Sequence, residues 1–334
     1  MASSFHFSPA GPALTAESAR AALYLWLEAR RAQAPFTVAP GPDSLWREEL
    51  RWLGLDGDAE AASGDAPPWH RSLPALEECE PSPWGQWSGR TPVAELRELG
   101  VLPEALVNFL ALTAWEPPPG TGPDELLSRE QLAALWTPER LRTQPAPFDF
   151  EDLRRINHAW LQRAGLDRLL ELSLPYFRRV GWLPADELPP VVRGWLRDVI
   201  RAVLPGLDFL SLLPPRTRLV FDYHAENYLR VAESRQAIER EGARDVLRAF
   251  GQRLLEDSWV TAERFRAILE EVKHESPWRG RHLSQPIQVV LTGLPFGPEL
   301  EELIPLFERG AELDLPVRVK SCRERVLEFC SVFV

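Results

Sequence analysis

Between Ala16 and Arg31 the apolar side chains of Ala19, Leu23, Trp26 and Leu27 fall on one face, and Arg30 continues the row, the spacing of an amphipathic helix. Phe5–Ser8 before it and Phe36–Ala39 after it have the length of short strands. Asp43 and Ser44 supply an N-cap signal for a helix running through Leu53, which Gly54 ends. The opening therefore reads strand, helix, strand, helix. From Gly57 to Thr91 the period disappears into Pro, Gly, Ser and Ala with scattered Trp, the composition of an irregular linker. From Pro92 onward the pattern is helical almost throughout, at Val93–Leu99, Pro103–Trp115, Ser128–Leu135, Thr137–Leu141, Asp149–Arg163, Leu166–Val180, Val191–Val203, Gln236–Leu255 and Thr261–Val272. Pro-rich breaks, among them Leu188–Pro190 and Leu213–Pro215, separate these segments, and such short connections favour helical bundles over a parallel sheet. The expected fold is mainly α with a small α/β N-terminal part. It divides into 1–60, a linker at 61–91, and helical regions at 92–185 and 186–334.

The chain has 334 residues, 45% of them hydrophobic and 26% charged, and no apolar run approaches the roughly 18 residues of a membrane span. Its first ten residues have neither the basic stretch nor the apolar block of a secretory leader, so a cytoplasmic protein is expected. Only Cys79, Cys322 and Cys330 occur, without a CxxC pair, which leaves neither a disulfide framework nor a thiolate zinc site. The histidines, His6, His70, His158, His224, His274 and His282, never fall at HxxxH spacing, and no metal is expected. Without GxGxxG, GxxxxGK[ST] or GxSxG, the common phosphate cradles and the serine nucleophile elbow are missing, and no cofactor is implied. The net charge of -11 argues against a sequence-blind nucleic-acid coat while leaving room for a local basic groove. Nearly all positive charge is arginine, with Lys273 and Lys320 the only lysines.

Four segments carry a family signature in order. Gly100–Trp115 (GVLPEALVNFLALTAW) resembles the segment that follows the ATP loop in bacterial glutamyl-tRNA synthetases. Pro147-Phe148-Asp149 with Leu153, Asn157 and Trp160 is similar to the family's "FDxxKLxxxN" helix, and Leu174–Phe177 to its "LLPFL" helix end. Gln285–Gly293 followed by Gly297–Leu300 is similar to its "QPLRVALTG...GPEL" segment. The resemblance implies a helical stem-contact domain followed by an all-helical anticodon-binding region.

The N-terminus is similar to the same family in its framework but not in its chemistry. Phe5, Ser8, Pro9 and Gly11 stand where "RFAPSPTG" would, Ala19–Arg30 resembles "ARTALFNWLFAR", and Glu49–Asp56 resembles "GLxWLGLDWD". Where the family has "HIGG" this chain has Thr15-Ala16-Glu17-Ser18, and Glu17 puts a carboxylate at a helix start that would have to receive a polyanion. The "RIEDTD" segment is reduced to Pro40-Gly41-Pro42. The "KLSKR" loop corresponds at best to Gln86–Arg90, in which both lysine positions are lost. Electrostatic donors of this kind contribute about 3–4 kcal/mol each. Thr15, Glu17, Ser18, Ser88 and Arg90 therefore mark a degenerate nucleotide site, and no catalytic residue is assigned.

For an RNA partner the candidate contacts are Arg129, Arg140, Arg142, Arg154, Arg155, Arg178, Arg179, Arg279 and Arg281, arginine being suited to phosphate, together with Gln288 and Thr292. The resemblance implies base-reading arginines at two positions, and this chain has Gln288 and Gly206 there. Trp160, Trp182, Trp195 and Trp259 read as core, Trp84 and Trp87 as an interaction surface, and Val326–Val334 as a tail docked on the body. The preferred expectation is a truncated paralogue of glutamyl-tRNA synthetase that binds tRNA or a tRNA-like RNA, or regulates an authentic synthetase, without aminoacylation. The alternatives are a ligase completed by a partner that supplies the missing catalytic half, and a protein adapter that no longer binds RNA.

Overall fold

The computed structural model describes residues 4–9, 11–40, 45–64, 67–78, 85–121 and 126–333. The N-cap signal at Asp43 and Ser44, Cys79 and Trp84 lie outside them. The chain forms two compact units, residues 4–164 with 208–211, and residues 165–207 with 212–333. The division after Ala164 differs from the expected boundary at 185/186, and the opening residues share a unit with the first helical region.

The first unit begins with β1 (Phe5–Phe7), α1 (Ala16–Arg31), β2 (Phe36–Val38), α2 (Leu45–Leu53) and β3 (Ala59–Glu60). The strands form one parallel sheet in the order β1-β2-β3, with Phe5 opposite Phe36 and Thr37 opposite Ala59. Parallel pairing requires a crossover between strands, and α1 and α2 provide it. The unit continues through β4 (Leu76–Glu77), α3 (Val93–Leu99), α4 (Pro103–Ala114), α5 (Arg129–Leu135), β5 (Ala146–Pro147) and α6 (Phe150–Arg163). Helix α1 is buried nearly all round, Arg20 and Glu28 included, because it packs against β1, β2, α4 and α5 at once. The expected linker is packed as well. Strand β4 pairs with β5, and Trp87 is buried with its ring stacked on Phe150 at 5.3 Å, so Trp87 is core and not an interaction surface.

Buried Asn157 ties this unit together. Its Oδ1 accepts from the Leu102 N–H at 2.7 Å, and its Nδ2 donates to the Gly100 carbonyl at 3.3 Å and the Asp208 carbonyl at 2.6 Å. Gly100 ends α3 at φ 93°, and a β-carbon there would stand 2.4 Å from the Leu210 nitrogen. Only glycine allows both the left-handed turn and that approach.

The second unit is helical: α7 (Leu166–Arg179), α8 (Pro190–Val203), α9 (Leu213–Phe221), α10 (Ala225–Tyr228), α11 (Ala232–Glu239), α12 (Ala243–Leu254), α13 (Ala262–Glu275), α14 (Arg281–Thr292), α15 (Leu300–Ala311) and α16 (Cys322–Val332). The single helix expected over Gln236–Leu255 is two, because Gly242 at φ 78° stands between α11 and α12. Leu213–Pro215 opens α9 instead of breaking the chain, its prolines lying in the first turn where a missing N–H has no helical partner to lose. Trp195 is fully buried, whereas Trp259 is exposed at 41% and departs from its core reading. The tail docks within the unit: Val326 and Phe329 of α16 are buried, with α16 against α10 and α14.

Arg325 of α16 is wholly buried and faces four carbonyls, those of Leu219, Val220, Leu291 and Lys320, at 2.7–3.0 Å. The first three end α9 and α14, where the helix dipole is negative. Its guanidinium also lies 3.7 Å from the Phe307 ring centroid and 4.7 Å from that of Tyr223. Burial lowers its pKa to about 10, so it stays protonated at neutral pH. Arg325→Met leaves these carbonyls without their donor, and an unfolding free energy lower by at least about 3 kcal/mol is expected in urea titration. An unchanged midpoint would refute that role.

Candidate functional site

The sequence points to the start of α1, and the structure brings the residues named there together. Thr15 is the N-cap of α1: its Oγ1 accepts from the Ser18 N–H at 3.2 Å and donates to Ser18 Oγ at 3.0 Å. The two preceding donors go to another segment. The Ala16 N–H donates to the Thr91 carbonyl and the Glu17 N–H to the Gly89 carbonyl, both at 2.8 Å. Residues 14–15 and 92–93 run antiparallel beside them, joined by the Val93 N–H and the Leu14 carbonyl. The first turn of α1 has thus spent the backbone donors with which a helix N-terminus holds a phosphate.

The segment that closes the helix start is itself a tight turn. Ser88 N–H donates to Thr91 Oγ1, Thr91 N–H returns to the Ser88 carbonyl, and Arg90 N–H donates to Ser88 Oγ, all near 3 Å. Gly89 N–H reaches the Leu76 carbonyl, and a β-carbon at Gly89 would lie 2.7 Å from that oxygen and 3.2 Å from Glu17 Cβ. Ser88 is therefore used up in the turn, while the Arg90 side chain is exposed. Glu17, half-exposed, accepts from the Leu76 N–H at 3.4 Å and lies 3.8 Å from Arg20.

Arg20 and Glu49 were not singled out by sequence reasoning, and both are buried beside this start. Arg20 donates to the Pro74 carbonyl, and its burial lowers its pKa against the opposing pull of Tyr24 and Glu17. Glu49 accepts from the Leu14 N–H at 2.9 Å, and burial raises its carboxyl pKa. Among the described residues no group of three or more His, Cys, Asp and Glu side chains is placed to hold a metal ion, and no helix is long and apolar enough to cross a membrane.

The candidate RNA contacts are divided between the units: Arg129, Arg140, Arg142, Arg154 and Arg155 belong to the first and the others to the second. Most are already engaged. Arg129 donates to the Gly54 carbonyl and lies over Trp26, and Arg140 donates to the Glu116 and Pro117 carbonyls. Arg142 pairs with Glu116, Arg154 with Glu151 and Asp208, and Arg155 with Asp152. Hydrogen bonds donated to Glu151 and then to Asp208 raise the Arg154 pKa. Arg178 donates to the Pro184 and Asp186 carbonyls and Arg279 to those of Ser276 and Trp278. Arg179, over the Tyr176 ring, and Arg281 are exposed and remain the readiest phosphate ligands. Gln288, half-buried, donates to the Pro298 carbonyl at 3.1 Å. Thr292 has to be withdrawn from the contact set: it is 1% exposed, and its hydroxyl is bonded to the Gln288 and Leu294 carbonyls.

Comparison with known proteins places this architecture. Residues 168–312 match the anticodon binding domain family. Glutamate–tRNA ligase 1 of Caldicellulosiruptor saccharolyticus is 31% identical over 218 residues, and the glutamate–tRNA ligase of Geobacillus stearothermophilus is 34% identical over 214. Over these stretches the chain is similar to the glutamate–tRNA ligases. These alignments take in 65% and 64% of this chain but 44% and 42% of the two enzymes, so it spans less than half the length of the curated relatives it matches. In fold, it is similar to the crystal structure of a glutamate tRNA ligase from Elizabethkingia meningosepticum in complex with its amino acid. The TM-score is 0.70 at 11% identity, with 99% of each chain covered.

Two substitutions test the closed start of α1. Thr15→Ala removes the cap and is expected to cost about 1 kcal/mol. Gly89→Val drives its side chain against the Leu76 carbonyl and is expected to cost more. Equal urea midpoints for both variants and the parent would show that the turn does not hold α1.

Proposed function

We propose that this chain is a truncated glutamate–tRNA ligase paralogue that binds tRNA, or a tRNA-like RNA, through its anticodon-binding domain and does not attach an amino acid. The observation that carries the second half is the start of α1. Nucleotide activation needs donors aimed at phosphate oxygens, and here Ala16, Glu17 and Ser18 donate to Thr91, Gly89 and Thr15. Glu17 adds a carboxylate at the same end. The RNA half is supported by the match over 168–312 and by the kinship with proteins named for tRNA ligation.

The engaged arginines favour one competing reading, a protein adapter. Seven of the nine candidates, all but Arg179 and Arg281, donate to carboxylates or carbonyls of the same chain. Exposed pairs are worth only about 0–1 kcal/mol, however, so a phosphate can displace a carboxylate at little cost. Regulation of an authentic synthetase is compatible with either reading.

Purified chain mixed with ATP, glutamate and total tRNA is expected to give neither ATP–pyrophosphate exchange nor glutamyl-tRNA. Filter retention of tRNA is expected at low ionic strength. It should fall with salt at a logarithmic slope of about 0.9 per phosphate engaged, and Arg179→Ala and Arg281→Ala should each flatten that slope. Formation of glutamyl-tRNA overturns the non-catalytic reading. Absence of retention at low salt overturns the RNA reading in favour of the adapter.

A further inference from the structure

Two cavities of the first unit adjoin at the start of α6. One, of about 590 Å³, is lined on its apolar side by Phe109 and Leu112 of α4, Ile156 of α6, and Trp115, Leu127 and Pro147. The other, of about 370 Å³, is lined by charged and polar side chains of the first turns of α6 together with Asp208. Asp149, Asp152 and Arg155 line both, so the two form one groove that passes from apolar to charged. Its larger half has the volume in which proteins bury small ligands and anchoring side chains.

The charge along this groove is unequal. Among the described lining residues, the carboxylates of Glu116, Asp149, Glu151, Asp152 and Asp208 stand against the guanidinium groups of Arg142, Arg154 and Arg155. Arg142 is paired with Glu116 at 3.2 Å, Arg155 with Asp152 at 3.1 Å, and Arg154 with Glu151 at 2.8 Å and Asp208 at 3.1 Å. Each guanidinium therefore already has a carboxylate, and carboxylates are left over. The same excess runs through the unit. Residues 1–164 with 208–211 carry 24 Asp and Glu against 14 Arg, whereas the rest of the chain carries 25 against 24 Lys and Arg. Nearly all of the net charge of -11 belongs to the first unit. Exposed ion pairs exchange at little cost, but a phosphate that displaced one carboxylate here would lie beside the others, while a cation gains from all of them.

We propose that this groove docks a short basic segment of a partner protein. An apolar residue of the segment fills the cavity between α4 and α6, and flanking lysines or arginines lie along the carboxylates of α6 and Asp208. Charge complementarity selects this occupant, and the aliphatic stems of lysine and arginine suit a groove that is apolar at one end. The docking site is independent of RNA binding by the second unit and adds a protein partner to it.

Fluorescence anisotropy with the full chain tests this, using labelled synthetic peptides that alternate arginine with leucine, arginine with serine, and glutamate with leucine. The arginine–leucine peptide is expected to bind at least about tenfold more tightly than either of the others. Glu151→Gln with Asp152→Asn, and separately Leu112→Trp, which fills the cavity, are each expected to weaken it about tenfold. Glu48→Gln with Asp56→Asn removes the same charge from side chains that line neither cavity and is expected to leave the affinity as it is. Unchanged circular-dichroism melting shows that the variants fold. Labelled tRNA, measured separately, is expected to be indifferent to Leu112→Trp. Equal binding of the arginine–leucine and arginine–serine peptides, or equal weakening by the two charge-neutralised pairs, reduces the effect to the general charge of the unit and overturns the docking site. Weakening of tRNA and not of the peptide by Leu112→Trp gives the groove to RNA and overturns it as well.

Discussion

The first turn of α1 presents backbone donors that must find acceptors, and the acceptors in this chain are the Thr15 hydroxyl and the carbonyls of Gly89 and Thr91. That exchange does two things at once. It fixes the 88–91 turn and β4 against the helix, which is why a stretch without any period is packed. It also removes the donors that would otherwise meet an anion. A helix end whose backbone donors are satisfied by its own chain has none of them left for a ligand.

Much of this was legible from residue spacing. The stripe of Leu23, Trp26 and Leu27 locates α1 to the residue, and Thr15, Ser128 and Asp149 cap the helices they precede. Asn157 could be picked out by resemblance, but not its reason, which is a fold-back of residues 208–211 that no local pattern encodes. Gly242, set among Glu239, Arg240, Glu241, Arg244 and Asp245, was too weak a local signal to divide α11 from α12. Prolines misled in the opposite direction at Leu213–Pro215, because Pro in a first helical turn and Pro in a break have the same composition.

The site residues divide along the same line. Thr15, Glu17, Ser18 and Ser88 lie about the start of α1, where their side chains and backbone bond to one another and to the 76 and 88–91 segments. Spacing could not show which arginines were free, because the partners of Arg154 and Arg129, at Asp208 and Gly54, are distant in sequence. Arg325 was invisible for a related reason: a cation held by four carbonyls needs no acidic residue nearby to announce it.

The first unit is discontinuous, and this orders events on the ribosome. Asn157 needs the Asp208 carbonyl and Gly100 needs Leu210, so the sheet and its helices lack their final seam until the chain has been made through Ser211. By then residues 165–207 have already left the exit tunnel in part. Vectorial synthesis therefore cannot finish one unit before starting the next, and a nascent chain arrested before position 208 will hold an N-terminal body that is assembled but not yet sealed.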